Sequence, residues 1–250
     1  MPLRPPTLFA LLAVVIAVAA LLVPVSLPQS ARNDLSDFER RVHAYLMSHP
    51  EVILDSVEAL RRRDEASKAI RQREAVAALQ GSLVDPGPLP VAGNPSGDVT
   101  VVEFFDYRCP YCRRVVPEVK ALLAADAKVR FVFKEYPVLG PDSVVAARAA
   151  VASARQGKYL QMHDAMMTRE GGLDEAAVMD IARSLGLDLA RLRADMAAAE
   201  TTRLLQDTIA LGRRVGVDGT PAFVIGREVV PGYTSAANLR AVVERARRGR

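Results

Sequence analysis

The stretch from Val99 to Val119 constrains the fold most tightly. Val99 to Phe105 is an apolar run rich in β-branched and aromatic residues, the composition of a buried strand. Cys109-Pro110-Tyr111-Cys112 follows, and then a helical pattern opens. Pro110 falls in the first helical turn, where its missing N–H is no loss. Cys109 is therefore expected at a helix N-terminus, where free N–H groups and the helix dipole favour a thiolate over a thiol. The chain contains 2 cysteines in all, so no third thiol is available for a structural bridge.

Three chemistries use a Cys-x-x-Cys pair. A structural zinc site needs four ligands, and the remaining candidates, His43, His49 and His163, are all remote in sequence. An inert disulfide at this spacing closes too small a loop to constrain the unfolded chain much. Thiol–disulfide exchange fits the strand–CxxC–helix context. It needs one exposed, acidic sulfur to attack and a second in reach to displace the captured partner. Pro110 and Tyr111, between the two sulfurs, tune the first. Arg108, Arg113 and Arg114 flank the pair with positive charge that favours a thiolate, and they read equally well as ordinary surface residues. Glu103 interrupts the apolar strand, and a buried carboxylate is costly without a role or a partner.

At the start of the chain, Arg4 precedes an uncharged apolar run from Leu8 to Val23. Residues 1–31 read as a signal peptide or an N-terminal membrane anchor, which places the remainder in a compartment where disulfides persist. Residues 33–82 form a helical region. Leu35, Phe38, Val42, Tyr45 and Leu46 share one face, Pro50 restarts the helix, and Ile53, Val57 and Leu60 continue the seam. The seam then fails at Asp64, so the charged continuation to Leu79 reads as a solvated helical spacer. The short apolar faces need a partner, either the rest of the chain or other copies. Leu83 to Gly97, with four prolines and three glycines, is a linker or irregular edge segment. The formal net charge of +4 is spread out, without a basic block interleaved with aromatics, which argues against nucleic acid as a partner.

After the CxxC helix, Val129 to Lys134 alternates as a second strand, parallel to the first in a right-handed βαβ unit. Helices are expected over Ser143–Ala154, Lys158–Thr168, Asp174–Leu185 and Leu189–Val215. Gly219 to Gly226 restores a strand, Glu228 to Val230 pairs with it as a hairpin, and Ser235 caps a last helix. His163 reads as a helix-packing residue. Met162, Met166 and Met167 read as core or peptide-facing surface rather than a copper box.

This order, with CxxC opening the first helix and Thr220-Pro221 opening the third strand, resembles the thioredoxin fold of DsbA-like thiol–disulfide oxidoreductases. Val102 to Arg113 is similar to that family's active-site segment. Residues 33–79, with the His49-Pro50-Glu51-Val52 restart, are similar to the extension through which ScsC-type members trimerise. The resemblance implies an α/β architecture: a thioredoxin-like domain over 84–250 with an all-helical insertion at about 141–215, behind an N-terminal helical extension. It implies Cys109 as nucleophile, Cys112 as resolving thiol, and Thr220 with a cis Pro221 facing the disulfide and pairing with substrate beside Pro110 and Tyr111. It implies that Glu103 moves protons to and from the inner cysteine. No cofactor and no metal are implied. The partners would be unfolded or misoxidised exported proteins, a membrane redox partner that reoxidises or reduces the pair, and two further copies in a homotrimer. The location would be the periplasm, with or without a tether through residues 8–25. A reading of another class keeps the CxxC as a soft copper(I) ligand pair in a copper-binding or chaperone protein of the envelope.

Overall fold

The computed structural model describes residues 29–249, with side chains from Ser36 onward, so most of the expected signal or anchor segment lies outside the described residues. The chain divides into two units, residues 1–64 and 65–250. In the first, α1 (Gln29–Ser48) ends at His49-Pro50 and α2 (Glu51–Ala78) begins. Pro50 cannot donate to the preceding turn, so one helix stops and the next starts there. Phe38, Tyr45, Ile53 and Leu60 are all exposed. Among the described residues no helix is long and apolar enough to cross a membrane.

The second unit is built on a five-stranded sheet of order β1-β3-β2-β4-β5. The strands are β1 (Ala92–Gly93), β2 (Val99–Phe105), β3 (Val129–Glu135), β4 (Ala222–Ile225) and β5 (Glu228–Pro231). Strands β2 and β3 run parallel, Val99 opposite Val129 and Phe105 opposite Glu135, joined through α4 (Pro110–Ala125). The other pairings are antiparallel. Between β3 and β4 lie α5 (Pro141–Ala154), α6 (Tyr159–Thr168), α7 (Glu175–Ser184), α8 (Leu189–Ala197) and α9 (Ala199–Arg214), and α10 (Ala236–Arg248) closes the chain. The α/β class and the helical insertion are borne out. Asp174 and Ser235 cap their helices by accepting from the Ala177 and Asn238 N–H groups.

Because both faces of the central strands are covered, alternation along β2 sorts its side chains into two cores. Val101 and Phe105 join Cys109, Cys112 and Val115 on the α4 face. Val102 and Phe104 join Leu211, Val215 and Val217 on the other.

One expectation changes, and one open alternative is decided. The spacer is not solvated throughout: Val76, in α2, is fully buried in the second core. Val76, the hydrogen bonds of Gln72 and the Lys68–Asp218 ion pair dock this stretch, and none of them produces a periodic signal. Of the two readings of Leu83–Gly97, linker or irregular edge segment, the structure selects the edge segment. It begins within the short helix α3 (Gln80–Val84), and two cations of β3 hold the junction. Lys134 Nζ donates to the Ser82 and Asp85 carbonyls at 3.1 and 2.6 Å, and Arg130 to the Val84 carbonyl at 2.7 Å. Ala92–Gly93 then adds an edge strand beside Phe131 and Arg130.

Candidate active site

The site is assembled at the carboxyl ends of β2 and β3. Asp106, the first residue past β2, pins the two loops together. Its Oδ1 accepts from the Arg108 N–H at 2.8 Å, and its Oδ2 from those of Val138 and Leu139 at 2.8 and 3.0 Å. Cys109 is the N-cap of α4, with Pro110 as the first helical residue. Both cysteines are free thiols.

The two sulfurs have opposite electrostatics. The Cys109 thiol is drawn down from 9.0 to about 5, first by a hydrogen bond from Cys112, and further by Thr220 and the backbone N–H groups of Cys112 and Tyr111. Burial pushes the Cys112 thiol far up, reinforced by Cys109 and by the charge of Glu103. Cys109 Sγ lies 3.1 Å from the Thr220 carbonyl oxygen, a hydrogen bond that only the protonated thiol donates, and the Thr220–Pro221 peptide is cis. The opening is narrower than expected. Cys109 keeps 4% of its surface and Cys112 none, because the Thr220 carbonyl closes over the outer sulfur, while Tyr111 beside it is exposed.

The arginines hold the rim. Arg113 donates from Nε to the Tyr107 carbonyl at 3.1 Å and from Nη1 to that of Arg169 at 2.9 Å. Arg108 reaches the Leu139 carbonyl and Asp142. Arg114 lies over the rings of Tyr111 and Tyr233.

Glu103 points to the α4 face, is 4% exposed and has no hydrogen-bond partner among the described residues. Burial, and secondarily the charge of Cys109, raises its carboxyl from 4.5 to about 8. It lines a cavity of about 170 Å³ shared with Lys120, His163 and Asp164. Met162, Met166 and Met167 are buried in the first core.

A polar cluster beneath the pair is absent from the sequence reading. Glu135 Oε1 accepts from the Tyr107 and Tyr159 hydroxyls at 2.9 and 2.8 Å, and His163 Nδ1 lies 3.1 Å from the Tyr107 oxygen. Glu135 Oε2 is buried without a partner. Burial raises Glu135 to about 8 and lowers His163 to about 4. Tyr107, two residues before Cys109, is thus anchored from both β3 and α6. The available signal was a second acid, Glu135, at the end of an apolar strand.

This cluster predicts a pH dependence of stability. The folded state holds a proton on Glu135 that the unfolded state releases above 4.5. The stability from that proton is complete below 4.5 and is lost as pH rises through about 8. Glu135→Gln keeps an acceptor for both tyrosines but cannot ionise. Relative to this variant, the wild type is expected to lose on the order of 1 kcal/mol per pH unit across that window. Urea unfolding at several pH values reads the difference; parallel profiles would contradict it.

A family model described as DSBA-like thioredoxin domain matches residues 100–244. Another, described as Copper resistance protein ScsC N-terminal domain, matches residues 35–67. A thioredoxin-like oxidoreductase from Silicibacter pomeroyi has a similar crystal structure, with 48% identity and a TM-score of 0.65 over 67% of this chain and 96% of that one. The thiol-disulfide exchange protein alpha-DsbA2 from Wolbachia pipientis is 26% identical with a TM-score of 0.66, over 72% of this chain and 97% of that one. The Na(+)/H(+) antiporter NhaA 3 of Salinispora tropica is 34% identical over 183 residues, 70% of this chain and 28% of that protein. The chain spans about a quarter of the length of the curated relatives it matches. A thioredoxin-like sheet, a CxxC pair opening α4, a cis proline against the outer sulfur and a family match over more than half of the residues agree: the chain belongs to the DsbA-like thioredoxin-domain family.

Proposed function

We propose that the chain is a thiol–disulfide oxidoreductase of exported proteins, working through Cys109 and Cys112. One observation carries this reading: an acidic sulfur at a helix start is backed, within one turn, by a sulfur that stays protonated. In the oxidising direction, a substrate thiolate attacks Cys109 of the Cys109–Cys112 disulfide. A Cys109–substrate bond forms, and Cys112 leaves as a thiolate and takes the Glu103 proton. A second substrate thiolate then attacks the captured sulfur, and Cys109 leaves as the stabilised anion. A low thiol pKa makes it a good leaving group. Run in reverse, the same steps reduce or isomerise a disulfide. Thr220 beside Pro221 offers a backbone N–H without a partner among the described residues, placed to pair with a substrate strand while Pro110 and Tyr111 border it.

The same reading takes residues 1–31 as signal or anchor, 33–82 as an oligomerisation and spacer region and 84–250 as the catalytic domain, acting in the periplasm and recharged by a membrane redox partner. The exposed Phe38, Tyr45, Ile53 and Leu60 support self-association as a trimer. Linked active sites would raise the effective concentration for reshuffling one substrate. Light scattering of the exported protein is expected to give a trimer; a monomer at micromolar concentration removes that assignment and the isomerase leaning with it.

An insulin-reduction or peptide-oxidation assay tests the central reading: turnover above the uncatalysed rate is expected. A second reading, Cu(I) held by the two thiols, takes its motive from the description of the family model over residues 35–67, a segment that contains neither cysteine. Tight copper binding without dithiol turnover would select it instead.

A further inference from the structure

The docked end of α2 brings two side chains up to the loop that carries Thr220. Gln72 donates from Nε2 to the carbonyls of Val215 and Gly216 at 3.2 and 3.1 Å, and Lys68 pairs with Asp218 at 2.9 Å. Gly216 has φ +74°, and a Cβ there would lie 2.8 Å from the Gln72 amide nitrogen. Helix and loop therefore approach as closely as a glycine permits. Between them lies a cavity of about 290 Å³, floored by Val217, Ala222, Val229 and Pro231 and walled by Lys68 and Gln72. Thr220 lines it too, and the same residue's carbonyl touches Cys109 Sγ.

The cavity and the reactive sulfur lie on opposite faces of the sheet. Val217 and Ala222 belong to the second core, Cys109 to the first. An extended peptide pairing along Thr220 places successive side chains on alternate faces. With its cysteine turned to Cys109, the neighbouring residue turns to this cavity. Backbone pairing with side-chain pockets on alternate positions is the general logic of strand-addition recognition.

We propose that this cavity is a specificity subsite that takes a bulky apolar or aromatic side chain next to the substrate cysteine, and that the spacer helix supplies one of its walls through Lys68 and Gln72. The helical extension thereby becomes part of the substrate site rather than only a tether. The inference rests on the oxidoreductase reading for the direction in which the peptide's cysteine points.

Two peptide series test it. In the first, serine replaces the cysteine and the next residue is phenylalanine or glycine, so that affinity is read without redox chemistry. The phenylalanine peptide is expected to bind about tenfold more tightly, the effect of burying one large apolar side chain. Gln72→Ala removes a wall. Val229→Trp fills the cavity from β5 and leaves the hydrogen bonds of Gln72 in place. Both are expected to bring the ratio close to one. In the second series, cysteine peptides attack the Cys109–Cys112 disulfide of the wild type and of both variants, each rate of mixed-disulfide formation divided by that variant's rate with reduced glutathione. The same ratio is expected, and the same loss. Equal binding of both peptides to the wild type, or a preference that survives both variants, overturns the subsite. A binding preference without any exchange, glutathione included, keeps the subsite and overturns the oxidoreductase reading instead.

Discussion

Cys109→Ser is expected to reduce exchange activity to the uncatalysed rate, while Cys112→Ser is expected to react once and stop. The difference follows from the two environments. At neutral pH Cys109 is the sulfur present as an anion, because Cys112 and the N–H groups of α4 donate to it, and a serine hydroxyl at that position has no comparable acidity. Cys112 has no exposed surface and stays protonated, so it contributes only when the first sulfur is already bonded to substrate. Reduced Cys112→Ser attacks a substrate disulfide through Cys109 and accumulates as the mixed disulfide, visible as a mass increment in an intact-mass spectrum. Turnover in Cys109→Ser, or no trapped adduct in Cys112→Ser, would mean that the roles of the two sulfurs are misassigned.

Glu103→Leu is expected to move activity and stability in opposite directions. The carboxyl is buried without a hydrogen-bond partner among the described residues and retains its proton up to about 8. A buried polar group left unpaired costs about 1–3 kcal/mol, so an apolar replacement of similar size should raise stability by that order. The proton that Cys112 takes on leaving then has no donor at hand. Positioned proton transfer contributes about 10²–10⁴-fold, so oxidation of a dithiol peptide in a single turnover should slow by about two orders of magnitude. Denaturant unfolding and stopped-flow oxidation of the same preparation read both effects. A destabilised variant with an unchanged rate would make Glu103 a packing residue.

What could be read from the sequence divides along physical lines. Local regularity was visible: the alternation of Val129 to Lys134, the apolar run at Val99, and the capping positions of Asp174 and Ser235. The cysteine pair was visible because nothing else in the chain competes for it. The cis geometry at Pro221 came from family resemblance, since most X–Pro bonds in folded proteins are trans. The buried cluster was not legible. Tyr107, Glu135, Tyr159 and His163 sit on a loop, a strand and a helix, and only the register that sets Phe105 opposite Glu135 brings them together. The docking of α2 was hidden for a related reason. It rests on Gln72 and Val76 within a charged helix, where hydrophobic periodicity has already lapsed.

The direct test of the whole account is the titration of Cys109, followed by thiolate absorbance in the reduced protein and assigned by its loss in Cys109→Ser. A single thiolate is expected to appear with a midpoint at about 5, while Cys112 stays protonated throughout the neutral range. A midpoint near 9, or two sulfurs ionising together, would contradict it.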